Sequence, residues 1–506
     1  MNICFVYPEC ENLGVEYLSA CLKKSGHNVR LVFDPRLFEN YYFESAGLGK
    51  IFSYTDEVVR GVLKSGCELV CFSVFSDYYG WACRVAAALK KRNKDLKIIF
   101  GGIHPTSVPD QVIKAPFIDY VCVGEGEYAL TELADALGSG GDDTRIKNIW
   151  AKKGGHVFTN EPRPLIADLD TLPFPDKEIF KNERFYFSCN DYKIVTSRGC
   201  PNACAYCYNS HLREVYRGKG RYLRKRGVGD VIRELEGIVG RCDIDRVTFY
   251  DDIFITDLLW LEEFAAEYKE KIKLPYFCNV HASYVNPRTV QLLKESGCLV
   301  VTMGIQTSDE NLRRNVLGRS ETNQDVADAI KLLTEAGIFL YVDMIFGLPL
   351  QDEEIMRKDV SFINTHRTDV VTGNWLRYYP KTRIIQVAKN NLLLSDPEIV
   401  EIEQSGEYQA FSQKGSTYTK NGERLRNMLV LACFFPEKAT SYILKKRLYR
   451  FLPAFQMMFY LQLLLAARSL LVKGKRLPFV CLSPKSVAGF YLHYICKRIK
   501  LLFLPG

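Results

Sequence analysis

The sequence has no positively charged, apolar leader: Met1-Asn2-Ile3-Cys4-Phe5-Val6-Tyr7 reads straight into a strand, which predicts a chain that is not secreted. It has no short-period repeat and no low-complexity tract. Its 47% apolar and 25% charged residues describe an ordinary folded chain and do not suggest a disordered or fibrous one. No disulfide framework is indicated, because the 17 cysteines are odd in number and scattered, and several (Cys4, Cys21, Cys71, Cys83, Cys122, Cys278, Cys298) stand within apolar runs. Reduced thiols in a cytoplasmic compartment are the expectation. Acid is missing from the end of the chain. No Asp or Glu follows Glu437, whereas twelve Lys and Arg lie between Lys445 and Lys500. The formal net charge of +8 therefore belongs to the tail, and the slightly acidic remainder argues against a general nucleic-acid surface.

At 506 residues the chain is too long for one core, so two or three domains are expected. Residues 1–145 alternate short apolar strands (Ile3–Tyr7, Val29–Phe33, Leu69–Ser73, Ile98–Phe100, Tyr120–Val123) with amphipathic helices (Val15–Lys24, Trp81–Lys91, Tyr128–Leu137). That alternation predicts an α/β, doubly wound, Rossmann-like parallel sheet, whose ligands sit beyond the carboxyl ends of the strands. Two of those ends carry glycines, Gly101-Gly102-Ile103-His104-Pro105 and Gly124-Glu125-Gly126-Glu127, which suit either a ligand's close approach or a tight turn. Residues 146–188 read as a hairpin around Gly154-Gly155 and a proline-rich linker. Residues 189–410 hold six further strands, near Ile194–Thr196, Val247–Tyr250, Tyr276–Cys278, Leu299–Met303, Phe339–Ile345 and Val370–Thr372, with helices such as Val228–Val239, Leu258–Lys271 and Val326–Ala336 between them. Six strand–helix units predict a partial (β/α)6 barrel with its chemistry at the C-terminal mouth.

Directly after the first of those strands stands Ser197-Arg198-Gly199-Cys200-Pro201-Asn202-Ala203-Cys204-Ala205-Tyr206-Cys207. Three thiolates at spacings of four and three on one loop can bind one face of an iron–sulfur cluster and leave an iron open. Zinc is the competing reading, but a structural zinc site closes with four ligands, and the nearest further candidate is His211.

The triplet, with an aromatic residue just before its last Cys, resembles the signature of radical S-adenosylmethionine enzymes. The resemblance implies that Cys200, Cys204 and Cys207 hold a 4Fe-4S cluster and are the catalytic centre. It implies that S-adenosylmethionine chelates the open iron and is cleaved to a 5′-deoxyadenosyl radical, with the electron coming from a donor such as flavodoxin or ferredoxin. Tyr222-Leu223-Arg224-Lys225-Arg226, Phe249-Tyr250-Asp251-Asp252, Gly304-Ile305-Gln306-Thr307 and Ile345-Phe346-Gly347-Leu348-Pro349 resemble the family's segments in order. On that basis Tyr206, Gly304, Gln306, Ile345 and Gly347 are expected around S-adenosylmethionine. Gln306 replaces a common glutamate and carries no charge. Gly101–Thr106 and Val123–Glu127 resemble the N-terminal domain of the cobalamin-dependent branch, so Ser73, Gly101, Gly102, His104, Gly124 and Glu125 are expected at cobalamin. The Asp-x-His-x-x-Gly motif that supplies a histidine to cobalt is missing, and no protein His ligand is expected; His27 reads as structural.

Tyr378-Tyr379-Pro380-Lys381-Thr382 resembles a turn that follows the barrel in this branch, with Lys381 where relatives carry glycine. Residues 411–506 read as helical, basic and apolar, with 451–467 the most apolar stretch. A bundle capping the barrel, peripheral membrane contact through 440–506 on the cytoplasmic face, and a borderline span are the three readings left open. The function expected is cobalamin-dependent methyl transfer to an unactivated carbon of a small-molecule or lipid-like substrate. A radical cyclase or oxidoreductase without methyl transfer is the alternative, and a non-catalytic corrinoid or metal sensor or carrier is the alternative of another class. A nucleic-acid partner is not expected.

Overall fold

The fold is that of a computed structural model, which describes residues 1–39, 45–183, 190–241, 243–404, 417–454 and 484–503. The N-terminal sheet has seven strands in the order β2-β1-β3-β4-β5-β6-β7. These are β1 (Asn2–Pro8), β2 (Asn28–Asp34), β3 (Leu69–Ser73), β4 (Lys97–Gly101), β5 (Tyr120–Cys122), β6 (Ile149–Lys153) and β7 (His156–Phe158). The first five are parallel. β1 is buried at every position after Asn2, as a strand covered by helices on both faces must be. The expected hairpin does form, turning at Gly154 and Gly155 with φ of 58° and 80°. It is not a free-standing part of the linker: β6 pairs antiparallel with β5 and so extends the N-terminal sheet.

The second sheet is six-stranded and parallel, in the order β15-β14-β13-β12-β11-β8. Its strands are β8 (Asp191–Ile194), β11 (Arg246–Phe249), β12 (Tyr276–Val280), β13 (Cys298–Gln306), β14 (Phe339–Phe346) and β15 (Val370–Trp375); a ribbon of β9 (Ser197–Arg198) and β10 (Arg224–Lys225) stands beside it. In β14 burial alternates strictly. Leu340, Val342, Met344 and Phe346 pack with the surrounding helices, while Tyr341, Asp343 and Ile345 are half-buried on the opposite, inner face. The period of two in the side chains thus separates a shell that holds the barrel from a lumen that does chemistry.

The first barrel strand ends earlier than expected, at Ile194 rather than Thr196. The physical reason is Asp251, a buried carboxylate at the end of β11. It accepts hydrogen bonds from the Thr196 amide at 3.1 Å and hydroxyl at 2.8 Å, and from the Ser197 hydroxyl. These bonds take Thr196 out of the ladder and turn the chain into the cysteine loop.

The helix Lys420–Ala432 packs on β15 and on the helix Glu353–His366, with Glu437–Lys445 beside it, so this part of the C-terminal region covers the barrel. The last helix, Pro484–Phe503, does not join that cover. Phe490 and Tyr494 are buried in the core of the N-terminal sheet, the Tyr494 carbonyl accepts from the Tyr54 hydroxyl, and Arg498 pairs with Glu57. Much of the stretch 451–467 singled out above lies outside the described residues. Among the described residues no helix is long and apolar enough to cross a membrane.

Candidate active site between the two sheets

The cysteine loop is held from four sides. Gly199 adopts φ 86°, and a Cβ there would strike the Tyr222 carbonyl, so only glycine fits where the loop leaves β9. Arg213 donates to the Cys200 carbonyl, the Ala205 amide donates to Leu317 O at 2.8 Å, and the Ala205 carbonyl accepts from Ile384 N at 2.9 Å. Cys207 caps the helix Tyr208–Val215 and receives the Asn209 amide at 3.6 Å; Asn209 also holds Asp252 at 3.1 Å and Tyr222 at 2.7 Å.

Cys200, Cys204 and Cys207 are free thiols, the first two buried and the third half-buried. Burial pushes the Cys200 thiol up to about 12, and it raises Cys204 and Cys207 as well. A metal reverses that preference by replacing the proton. Among the described residues no three His, Cys, Asp or Glu side chains converge as a single-ion site demands, His211 included. The thiolates of a four-iron cluster each bind a different iron, so they need not converge on one point. A loop of three unpaired thiols without a fourth ligand fits such a cluster.

Arg319 joins the loop to the barrel. Its buried guanidinium donates to the Gly304 carbonyl at 2.7 Å and to Glu321 at 2.6 Å, and stands 3.3 Å from the Tyr206 hydroxyl. Glu321 in turn lies 3.5 Å from His281, which follows β12 and is buried; its imidazole is held neutral, down to about 4, by that burial. Gln306 has φ 71° where the register between β13 and β14 slips, and its side chain folds over Gly304, where a Cβ would collide with it. Gly347 follows β14 at φ 76°, and Ile345 packs with Tyr206 in one apolar cluster. The five residues expected around S-adenosylmethionine therefore stand at the ends of β13 and β14 and on the cysteine loop. Asp359 stiffens the same rim. Fully buried, it accepts from Ser308 N at 2.5 Å, Ser308 Oγ at 2.8 Å, Thr307 Oγ1 at 3.0 Å and Gln351 Nε2 at 3.1 Å.

On the other side, the carboxyl edge of the N-terminal sheet faces this mouth. Ser73 lies opposite Gly101 in register. Gly102, at φ 96°, lets the backbone pass Val74 where a Cβ would stand 2.7 Å from its amide, and a Cβ on Gly124 would meet the Tyr216 hydroxyl. His104 is fully buried, stacked on Tyr79 at 4.1 Å between ring centres, and bonded through Nδ1 to Ser76 at 2.9 Å; Ser76 also meets Tyr208 at 2.6 Å. Tyr208 is the residue after Cys207, so a hydrogen-bonded chain links the N-terminal sheet to the cysteine loop. Glu125 is occupied by the barrel side: its carboxylate pairs with Arg198 at 3.1 Å and Arg224 at 2.9 Å and accepts from Ile166 N at 2.9 Å, while Glu127 pairs with Arg198 at 2.5 Å. Among the polar atoms at this edge that are buried without a hydrogen-bond partner are His104 Nε2, Asp77 Oδ1 and Glu127 Oε2. A corrinoid, rimmed with amides, carries polar groups that fit such atoms.

Residues 194–363 match the family model of the Radical SAM superfamily, and residues 5–134 match that of the B12 binding domain. The chain therefore carries a domain of the radical SAM superfamily. Its enzymes use a 4Fe-4S cluster and S-adenosylmethionine, and the B12 binding domain adds cobalamin. The enzyme is 26% identical over 387 residues to the uncharacterized methyltransferase PH0819 of Pyrococcus horikoshii, covering 76% of this chain and 80% of that one. It is 24% identical over 402 residues to the anaerobic magnesium-protoporphyrin IX monomethyl ester cyclase of Rubrivivax gelatinosus, covering 75% and 68%. The cobalamin-dependent S-adenosylmethionine radical enzyme OxsB shares the fold, with a TM-score of 0.67 at 15% identity over 99% of this chain and 80% of that one.

Sequence reasoning did not single out Arg319, Glu321, His281, Asp343 or Asp359. For Asp343 a signal was present, since it is an acid inside the apolar run Tyr341-Val342-Asp343-Met344 and faces the lumen. There it accepts from Thr372 at 2.6 Å, and burial raises its carboxyl above the ordinary range. Arg319 and Glu321 had none: they pair with each other, but the groups that give them a role, Tyr206, Gly304 and His281, come from elsewhere in the chain. Lys381 takes φ 62°, in the left-handed region that favours glycine, and it pairs with Glu403 at 2.7 Å. His27 bonds the N-terminal amine at 3.3 Å and stands 3.1 Å from Asp135, a structural arrangement.

Proposed function

We propose that the enzyme transfers a methyl group to an unactivated carbon of a small-molecule or lipid-like substrate. The observation that supports this best is the direct apposition of the two ligand edges, through His104–Ser76–Tyr208 and through Glu125 and Glu127 to Arg198. What the bound groups supply is an electron for cleavage of S-adenosylmethionine and a carrier for the methyl group. Cys200, Cys204 and Cys207 hold the cluster. Gly304, Gln306, Ile345, Gly347 and Tyr206 shape the seat for S-adenosylmethionine, with Arg319 orienting Tyr206 and the Gly304 carbonyl. Ser73, Gly101, Gly102, His104 and Gly124 form the floor for cobalamin, and Glu125 ties that floor to the cysteine loop. Apolar Ile345 and Leu348 beside Tyr206 exclude water from the mouth, which keeps a reactive radical from being quenched. A one-electron donor of the flavodoxin or ferredoxin class completes the system.

The test is anaerobic reconstitution with iron, sulfide and hydroxocobalamin, followed by visible spectroscopy and assay with methyl-deuterated S-adenosylmethionine. Cluster bands, retained corrinoid, 5′-deoxyadenosine and a labelled methyl on product are the expected results. The likeness to a cyclase favours the second reading, ring closure without methyl transfer. In that case 5′-deoxyadenosine forms and the product gains no deuterium.

A further inference from the structure

We propose that the surface formed by residues 435–451 docks the enzyme on an anionic lipid bilayer. In the helix Glu437–Lys445 the buried positions Thr440 and Leu444 face the barrel, while Lys438, Tyr442 and Lys445 recur at helical spacing on the exposed face. Arg447 then takes φ 54° and turns the chain into the short helix Leu448–Phe451, whose Tyr449 is buried and whose Phe451 is not. Phe451 is 86% exposed and Tyr442 59%, values that a ring placed for packing does not show. Lys445, Lys446 and Arg447 stand exposed between them, and among the described residues they make no ion pair.

Aromatic rings flanked by unpaired cations are the two components of an interfacial membrane site. The rings enter the boundary between headgroups and chains, and the cations meet anionic headgroups. Charge complementarity names the partner. Glu437 is the last acid of the sequence, and the chain continues from Phe451 into its most apolar stretch, 451–467. A nucleic acid would meet the cations but leaves Phe451 and Tyr442 without an apolar environment, so a lipid surface fits both halves. The surface lies on the barrel's C-terminal cover and does not depend on what the active site transfers.

The experiment is sedimentation of the full reconstituted chain with phosphatidylcholine vesicles, with and without phosphatidylglycerol. The enzyme is expected to pellet with the anionic vesicles and to be released by high salt. The combined variant K445A/K446A/R447A is expected to lower the partition at least about tenfold. Phe451→Ser, which leaves the charge unchanged, is expected to lower it as well, and both variants should release 5′-deoxyadenosine as the unaltered enzyme does. An enzyme that stays in the supernatant with anionic vesicles overturns the proposal. So does duplex DNA that binds as tightly as the vesicles and is unaffected by Phe451→Ser, which assigns the cations to a nucleic acid instead.

Discussion

Arg319 shows how much one side chain can carry. A planar guanidinium reaches three acceptors in fixed directions, and here they are Gly304 O, Glu321 and the Tyr206 hydroxyl. Arg319→Ala leaves Glu321 buried and unpaired, a loss on the order of 3–5 kcal/mol, read as a lower thermal midpoint together with loss of 5′-deoxyadenosine release. Arg319→Lys is expected to restore part of the stability but not the release, because a single ammonium cannot hold Tyr206 and Gly304 at once. His104 makes a pH prediction. Burial holds its imidazole neutral in the folded chain, down to about 4, whereas an unfolded histidine titrates near 6.5. Its contribution to stability is therefore complete above about pH 6.5 and is lost as pH falls towards 4, where the unfolded chain takes up the proton first. In His104→Gln the fall of the urea midpoint between these pH values should be shallower than in the unaltered enzyme.

Among elements, the ribbon β9–β10 is the joint between the halves. Arg198 on β9 and Arg224 on β10 face each other in register, and both reach carboxylates of the Gly124-Glu125-Gly126-Glu127 turn. Since Cys200 lies just beyond β9, the N-terminal domain helps to set where the cluster loop begins. Glu125→Gln with Glu127→Gln leaves Arg198 poorly paired, and it is expected to cut bound iron per chain or make the cluster oxygen-labile. The N-terminal domain should still fold, as checked by circular dichroism and the thermal midpoint. If iron content, cluster lifetime and 5′-deoxyadenosine release all stay as in the unaltered enzyme, the ribbon has no such role.

At the scale of the whole molecule, the chain closes on itself. The helix Pro484–Phe503 returns to the first domain and places Tyr494, 1% exposed, among residues of the N-terminal core. Tyr494 also donates to Glu183 at 2.9 Å, tying the helix to the linker. Tyr494→Ala removes a buried ring, which costs about 3–5 kcal/mol. The expected outcome is faster proteolytic cutting in the N-terminal domain, with the barrel fragment left as resistant as before.

Strands, helices and the cysteine loop were legible in the residues because each is written locally. β1, β3 and β4 are short apolar runs between turns, β12 to β15 fell within a few residues of their expected bounds, and Cys200, Cys204 and Cys207 announce themselves by spacing. Hydrophobic period and local motif need no distant partner, and so the two-sheet plan follows from the sequence alone. Whatever depends on a distant partner waited for the tertiary structure. The hairpin β6–β7 joined the first sheet because β5 offered it an edge, and β8 stopped at Ile194 because Asp251, 55 residues on, drew Thr196 away. The last helix found the N-terminal core instead of the barrel, and Glu125, expected at cobalamin, also pairs with Arg198 and Arg224. The reason is the same in each case: a carboxylate, a sheet edge or an apolar face is satisfied by whichever complementary group the fold brings within a few ångströms, and chain order does not encode that distance.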